Sequence, residues 1–339
     1  MWTVAPSDFV GLLRLTILLL CMGGAAAMDH WTRRVPNDWW IRWGVAIVFL
    51  LCIEMMLLEA DLPLILLALG IVAWASISVI GTPSLNDMKN GSYLDWAVFS
   101  WYVLGLVGLG CSVILHAENA LWIMGLHSNP PLFLIIDGSD LELALIHANI
   151  LLDLIGLGIC IGFIELAWRM RLLHGGADAK ALMIVAIALP WWSGIGVIGM
   201  SSLIPPMISV LVWSAASFLL LPIRTIVSNI SNGVTSPIKM IWHSEKWPLD
   251  KIRGKHVWIL SEVIDGTDGE RKVSVRMRPK RTKENSDTIA TKIDELGQLG
   301  ETKAWITKKH PFLVYVLPSI PLAVIFGDPI VWILSILGF

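Results

Sequence analysis

Apolar residues fall along the chain in eight blocks, near 9–28, 43–59, 61–81, 96–116, 144–168, 179–200, 206–223 and 312–338. Most approach the roughly 20 residues that a helix needs to cross about 30 Å of hydrocarbon. The pattern predicts a membrane all-α helical bundle of about eight transmembrane helices. The last block is the least regular. Pro318, Pro321, Gly327, Asp328 and Pro329 are able to divide it into two half-segments, which is tolerated only where neighbouring protein satisfies the freed backbone groups.

The one long polar stretch, 224–311, has a different period. Val273, Val275 and Met277 alternate with Lys272, Ser274, Arg276 and Arg278, the period of a half-buried strand. His256 to Ile264 is rich in β-formers, and Asp265-Gly266-Thr267-Asp268-Gly269 between the two is a turn signal. A β-hairpin is expected there, in a small cytoplasmic β-containing domain inserted before the last span. The predicted organisation is a polytopic membrane core over 1–223, a basic domain over 224–311 and a C-terminal transmembrane segment over 312–339.

Composition agrees with the pattern. Of 339 residues, 55% are hydrophobic and only 15% charged, too few charges to cover a soluble surface. The net charge of −2 conceals a split: 224–311 holds 17 Lys and Arg against 11 Asp and Glu, a balance of +6, so the remaining chain carries −8. The basic run Arg276, Arg278, Lys280, Arg281 and Lys283 suits a solvated face beside anionic headgroups. No stacking aromatics or nucleic-acid-binding pattern accompanies it, so no nucleic-acid partner is expected. Cys21, Cys52, Cys111 and Cys160 all lie in apolar runs without metal-type spacing and read as small core residues. No basic stretch precedes the first apolar run, which is therefore expected to remain as a membrane span.

Basic residues also set the expected sidedness, because Lys- and Arg-rich loops stay in the cytoplasm. With the N-terminus outside, Arg33, Arg34, Arg42, Lys89, Arg169, Arg171, Lys180 and all of 224–311 fall inside. The outer segments around 60, 117–143 and 201–205 contain no Lys or Arg. Arg14 is the exception and is expected to snorkel or to pair with a buried acid, with Asp153 and Glu165 as candidates. Glu54, Asp153 and Glu165 are ionisable groups within apolar runs and invite a structural or gating role. Trp39, Trp40, Trp43, Trp191 and Trp192 cluster near span ends and read as interface anchors.

This topology puts two aspartates on one face: Asp29, at the end of the first span before Arg33 and Arg34, and Asp178, at the start of the sixth. Each alone also fits a helix cap or a snorkelling group. Together they suit hydrolysis by paired carboxylates, in which one ionised group takes a proton from water and one protonated group polarises a carbonyl. Proximity separates the two pKa values, because neighbouring like charges cannot both ionise. Gly175 and Gly176 precede Asp178 where the chain must turn and another segment can approach closely.

The two passages resemble the archaeal preflagellin and prepilin peptidases, membrane aspartyl proteases of the GxGD type related to bacterial type IV prepilin peptidases. The first likeness is Asp29 followed by Arg33, Arg34, Val35, Pro36 and Asn37. The second is Gly175, Gly176, Ala177 and Asp178 with Lys180 two residues on. Trp305-Ile306-Thr307, Pro311-Phe312-Leu313-Val314 and the late Gly327-Asp328 look like the tail of the archaeal branch. The resemblance implies that Asp29 and Asp178 are the catalytic pair, supported by Gly175, Gly176, Ala177 and Lys180, without cofactor or metal. It implies as partners pilin-like or flagellin-like precursors whose short basic leaders, ahead of a hydrophobic helix, are removed at the cytoplasmic face. Two departures stand out: four spans instead of two separate the motifs, with the additional material within 60–143, and the cysteine-containing region associated with methylation in bacterial relatives is missing. A peptidase without methyltransferase activity is expected. The competing readings are an ion- or proton-coupled transporter using Asp29, Asp153, Glu165 and Asp178, a presenilin-like GxGD protease, and a membrane scaffold that presents 224–311 to a partner.

Overall fold

The computed structural model describes residues 5–126, 140–173, 175–192, 204–265, 270–278 and 286–338. Helix α1, Pro6–Thr32, starts at a proline in its first turn, where the missing N–H costs nothing. It ends at Arg33, in the left-handed region at φ 57°. Pro36 holds the extended backbone that starts α2, Asn37–Leu57, so four residues suffice to reverse the chain. A second short turn, with Glu59 also left-handed at φ 54°, leads to α3, Leu62–Ile80, whose N-cap is Asp61. Then follow α4, Leu85–Lys89, α5, Tyr93–Ile123, α6, Asp140–Arg169, and α7, Gly176–Ala188.

Next comes α8, Pro206–Ser231, then α9, Ile238–Ile241, β1, Glu245–Pro248, α10, Leu249–Ile252, β2, Val257–Ile259, β3, Ser261–Asp265, and β4, Arg271–Val275. The chain closes with α11, Ser286–Gln298, β5, Lys303–Lys308, α12, Phe312–Phe326, and α13, Pro329–Ile336. Two compact units result, one of residues 1–214 with 312–339 and one of 215–311; the division falls within α8.

Six helices are long and apolar enough to cross a membrane: α1, α2, α3, α5, α6 and α8. They cover six of the eight expected blocks and make the chain, by length and composition, a helical membrane protein. The block 179–200 is helical through Ala188, and residues 193–200 lie outside the described residues, as do 201–203 of the expected outer loop. The last block is divided at Gly327, φ 72°, where the Asp328 side chain accepts the Ile330 N–H at 2.9 Å and starts α13. Pro318 and Pro321 lie inside α12 without ending it.

In the first unit α1 packs on α2, α7 and α12, while α3 packs on α5, α6 and α7. Leu18, Met22, Ile47, Leu51, Leu64, Leu151, Leu154 and Ile161 are buried in the shared core. The α3–α5 contact is closest at Gly70 and Gly105, where a Cβ on either would overlap the other's backbone; small residues let helix backbones approach in this way. Trp40 and Trp191 are buried rather than placed as interface anchors, each 2% exposed. Trp191 Nε1 donates to Glu54. Cys21 and Cys160 are buried as expected, whereas Cys111 is exposed on α5.

The second unit holds a three-stranded antiparallel sheet in the order β1-β5-β2, and a hairpin of β3 with β4. The hairpin is the one the alternating residues predict, and Val263 pairs with Val273. Its turn residues 266–269, and Lys280, Arg281 and Lys283 of the basic run, lie outside the described residues. Ile252, Val257, Ile259, Ile289, Ile293, Leu296 and Ile306 form its core, to which α11 contributes one face.

Candidate active site

Asp29 belongs to the last turn of α1, beyond the Ala25-Ala26-Ala27 stretch, and is partly buried. Its Oδ2 accepts the N–H of Leu313 at 3.3 Å. Leu313 lies in the first turn of α12, whose N–H groups have no partner inside the helix, so Asp29 caps an element 284 residues away in sequence. The first likeness and the start of the tail are thereby joined.

Asp178 is the third residue of α7, counted from Gly176, and Gly175 is the N-cap. The backbone of Gly175 hydrogen-bonds the Asp178 carboxylate, the reach-back of an acid at this position to the cap that closes a helix start. An acid in the first turn is also favoured by the helix dipole. These local forces account for the position of Asp178, but not for its charge state. Asp178 lies just ahead of the apolar run, and burial, followed by the charge of Asp29, raises its carboxyl from 3.8 to about 6, against the opposing Gly175 bond. The two aspartates therefore interact, although about 150 residues separate them.

The two glycines differ in role. Gly175 has φ −104°, a backbone conformation open to any residue, so conformational freedom is not what the position requires. Space is required instead, because a Cβ on Gly175 would strike the Asp178 carboxylate. A Cβ on Gly176 would meet only Trp168, at an ordinary 3.9 Å. Ala177 is partly buried against the core. Lys180 Nζ donates to Asn37 Oδ1 at 2.7 Å and so ties α7 to the first residue of α2. Lys180 also lines an apolar cavity of about 400 Å³ bounded by Trp40, Gly44 and Val48 of α2, by Val72 of α3 and by Ile184 of α7.

No known protein family and no characterised protein matches the sequence.

The intramembrane acids are arranged differently from expectation. Arg14 pairs with Glu54, Nη1 to Oε2 at 2.7 Å, and not with Asp153 or Glu165; each partner is 1% exposed. Arg14 Nε donates to the Ala188 carbonyl at 2.7 Å, where α7 ends, and its guanidinium lies 5.5 Å from the Trp191 ring centroid. Glu165 instead pairs with Arg169 one turn on and accepts from Trp74 Nε1 at 2.5 Å. Sequence reasoning did not select Leu313 as a contact of Asp29, since a backbone N–H leaves no side-chain signal. Glu54 was visible as an acid, and only the packing of α1 on α2 makes it the partner of Arg14.

Proposed function

We propose that the chain is a membrane-embedded aspartic endopeptidase of the prepilin and preflagellin peptidase type. The observation that carries this reading is the Asp178 carboxyl, raised to about 6 by burial and by the charge of Asp29. Raising one carboxyl of a pair makes it the better proton donor, which is what peptide hydrolysis by two carboxylates needs. In this reading Asp29 takes a proton from water as its oxygen attacks the scissile carbonyl carbon, and Asp178 gives its proton to the carbonyl oxygen. As the resulting diol collapses, Asp29 passes its proton to the leaving nitrogen, the C–N bond breaks, and Asp178 recovers a proton from a diol hydroxyl. Both carboxyls end in their starting states, and no cofactor or metal is consumed.

The substrates in this reading are pilin-like or flagellin-like precursors with a short basic leader ahead of a hydrophobic helix. The carboxylates attract the basic leader. The apolar cavity beside Lys180 suits the hydrophobic segment that follows. The chain crosses the membrane eight times with its N-terminus outside, α7 and α12–α13 completing the six long helices. The aspartates and residues 224–311 then face the cytoplasm, supported by the absence of Lys and Arg from the outer segments. No methyltransferase activity accompanies cleavage.

The test is cleavage of a co-expressed pilin-like precursor by Asp29→Asn and Asp178→Asn variants. Both variants are expected to reach the membrane at wild-type abundance and to cleave nothing. Cleavage retained in both would refute the reading.

A further inference from the structure

At the far end of α2 from Asp29, three side chains from separate elements converge. Asp61, the N-cap of α3, accepts the Leu64 N–H with Oδ1 at 3.1 Å and turns Oδ2 to His116 Nε2 of α5 at 2.7 Å. His147 of α6 stacks edge-on to His116, with ring centroids 5.2 Å apart at 68°. One possible ligand atom from each of Asp61, His116 and His147 lies within 4.8 Å of the others. Helix α2 has 21 residues, so this cluster stands about 30 Å from the aspartate pair and forms no part of that site.

The orientation of His147 is set by its surroundings. Its Nε2 lies 2.7 Å from the carbonyl oxygen of Glu59. A carbonyl only accepts, so Nε2 carries the proton and Nδ1 of the neutral ring keeps its lone pair. A histidine that donates one ring N–H to a backbone carbonyl while the other nitrogen is left as a ligand is the usual outer arrangement of metal sites. Glu59 presents this carbonyl from a left-handed backbone at φ 54°, uncommon for a residue with a side chain. Ser112 and Asn119 flank His116 on the same face of α5, at four residues before and three after. They are 0% and 2% exposed, and Ser112 Oγ and Asn119 Oδ1 have no hydrogen-bond partner among the described residues. Buried polar atoms left open beside histidines are where bound water or a ligand is expected.

We propose that Asp61, His116 and His147 bind a divalent transition-metal ion, zinc by preference, with a fourth position open to water. Two imidazoles and one carboxylate suit this borderline ion, and three protein donors leave tetrahedral coordination one short. The ion takes the place of the hydrogen bond between His116 Nε2 and Asp61 Oδ2, and coordination through Nε2 puts the proton of the neutral His116 ring on Nδ1. His116 and Asp61 are 10% and 26% exposed at the side chain, which leaves a route of entry. The ligands come from the start of α3, the end of α5 and the start of α6, so the ion clasps these three helices at one end. The proposal is independent of the peptidase reading.

Purified protein in detergent, stripped with chelator, is dialysed against Zn²⁺ or Co²⁺ and assayed for bound metal, visible absorption and Tm. A single retained equivalent, the absorption bands of four-coordinate Co²⁺ and a Tm rise of about 5 °C at hundredfold excess over Kd are expected. His147→Gln and Asp61→Asn should lose all three responses, while His30→Gln, a histidine at the opposite end of the bundle, should keep them. Wild-type protein that retains no equivalent would reduce the cluster to a hydrogen-bonded pair beside a histidine and overturn the proposal. Undiminished binding in folded His147→Gln and Asp61→Asn variants would overturn it as well.

Discussion

Lys180 Nζ donates to Asn37 Oδ1 at 2.7 Å across 143 residues, and this bond joins the two passages that carry the candidate aspartates. Lys180 follows Asp178 by two residues in α7, and Asn37 opens α2 just beyond the turn that ends α1. The bond holds the start of α7 against the segment that leaves Asp29. Lys180→Met and Asn37→Ala should each lower precursor cleavage several-fold. The double variant should lose no more than the stronger single one, a coupling of about 1 kcal/mol for a partly exposed charged bond. Additive losses in the cleavage assay would show that the two side chains act separately.

In the proposed mechanism the Asp178 carboxyl sets the pH response. Its value in the fold, about 6, lies above the ordinary 3.8, so folding favours the protonated form. That contribution to stability is complete below 3.8 and is lost as pH rises through about 6. If Asp178 is the acid, kcat/KM should fall about tenfold per pH unit above pH 6. Asp29→Asn removes one of the two causes of the shift, and infrared titration of Asp178 should then show a lower pKa. A rate that climbs between pH 6 and 8 would remove Asp178 from the acid role.

Gly175 and Gly176 should respond unequally to the same change. Gly175→Ala forces the Asp178 carboxylate to move, and a misplacement of this kind in a reacting group costs on the order of tenfold to a hundredfold in rate. Gly176→Ala adds only an ordinary contact with Trp168, and cleavage should stay within about twofold. Equal effects from the two substitutions, in protein of unchanged Tm, would show that space beside Asp178 is not what matters.

The Arg14–Glu54 pair should behave as a unit. Arg14→Met or Glu54→Leu alone leaves a charge buried without its partner, at a cost of about 3–5 kcal/mol. Replacing both with apolar residues should recover most of that loss, because the desolvation cost disappears along with the attraction. Thermal unfolding in detergent measures the difference. A double variant less stable than either single one would contradict this account.

Six long helices were legible in the sequence because lipid demands near-continuous apolar runs, a strong signal that needs no knowledge of neighbours. The hairpin of β3 and β4 was legible from the alternation of Val273, Val275 and Met277 with polar neighbours and from the turn signal before it, although of the three only Val273 packs on the core and Val275 and Met277 are exposed. Strand β5, the centre of the other sheet, was not picked out as a strand. Its role depends on pairing with β1 and β2, whose partner residues lie 47 or more positions earlier. In the same way Trp40 and Trp191 have the composition of interface anchors, and only helix packing makes them interior.

Asp29 and Asp178 stood out from the hydrophobic blocks and loop charges, which predict that their helix ends share a face, and Gly175 and Lys180 were given supporting roles by the resemblance of the second motif. Contacts within the site depended on the tertiary fold. Packing of α1, α2, α7 and α12 brings Asp29 to Leu313, Lys180 to Asn37 and the Asp29 charge to Asp178. It also decided the partner of Arg14 and gathered Asp61, His116 and His147. The physical reason is the range of the forces. Transfer into lipid acts on each segment by itself and is written locally, whereas hydrogen bonds and charge pairs act over a few ångströms and exist only once distant segments have packed.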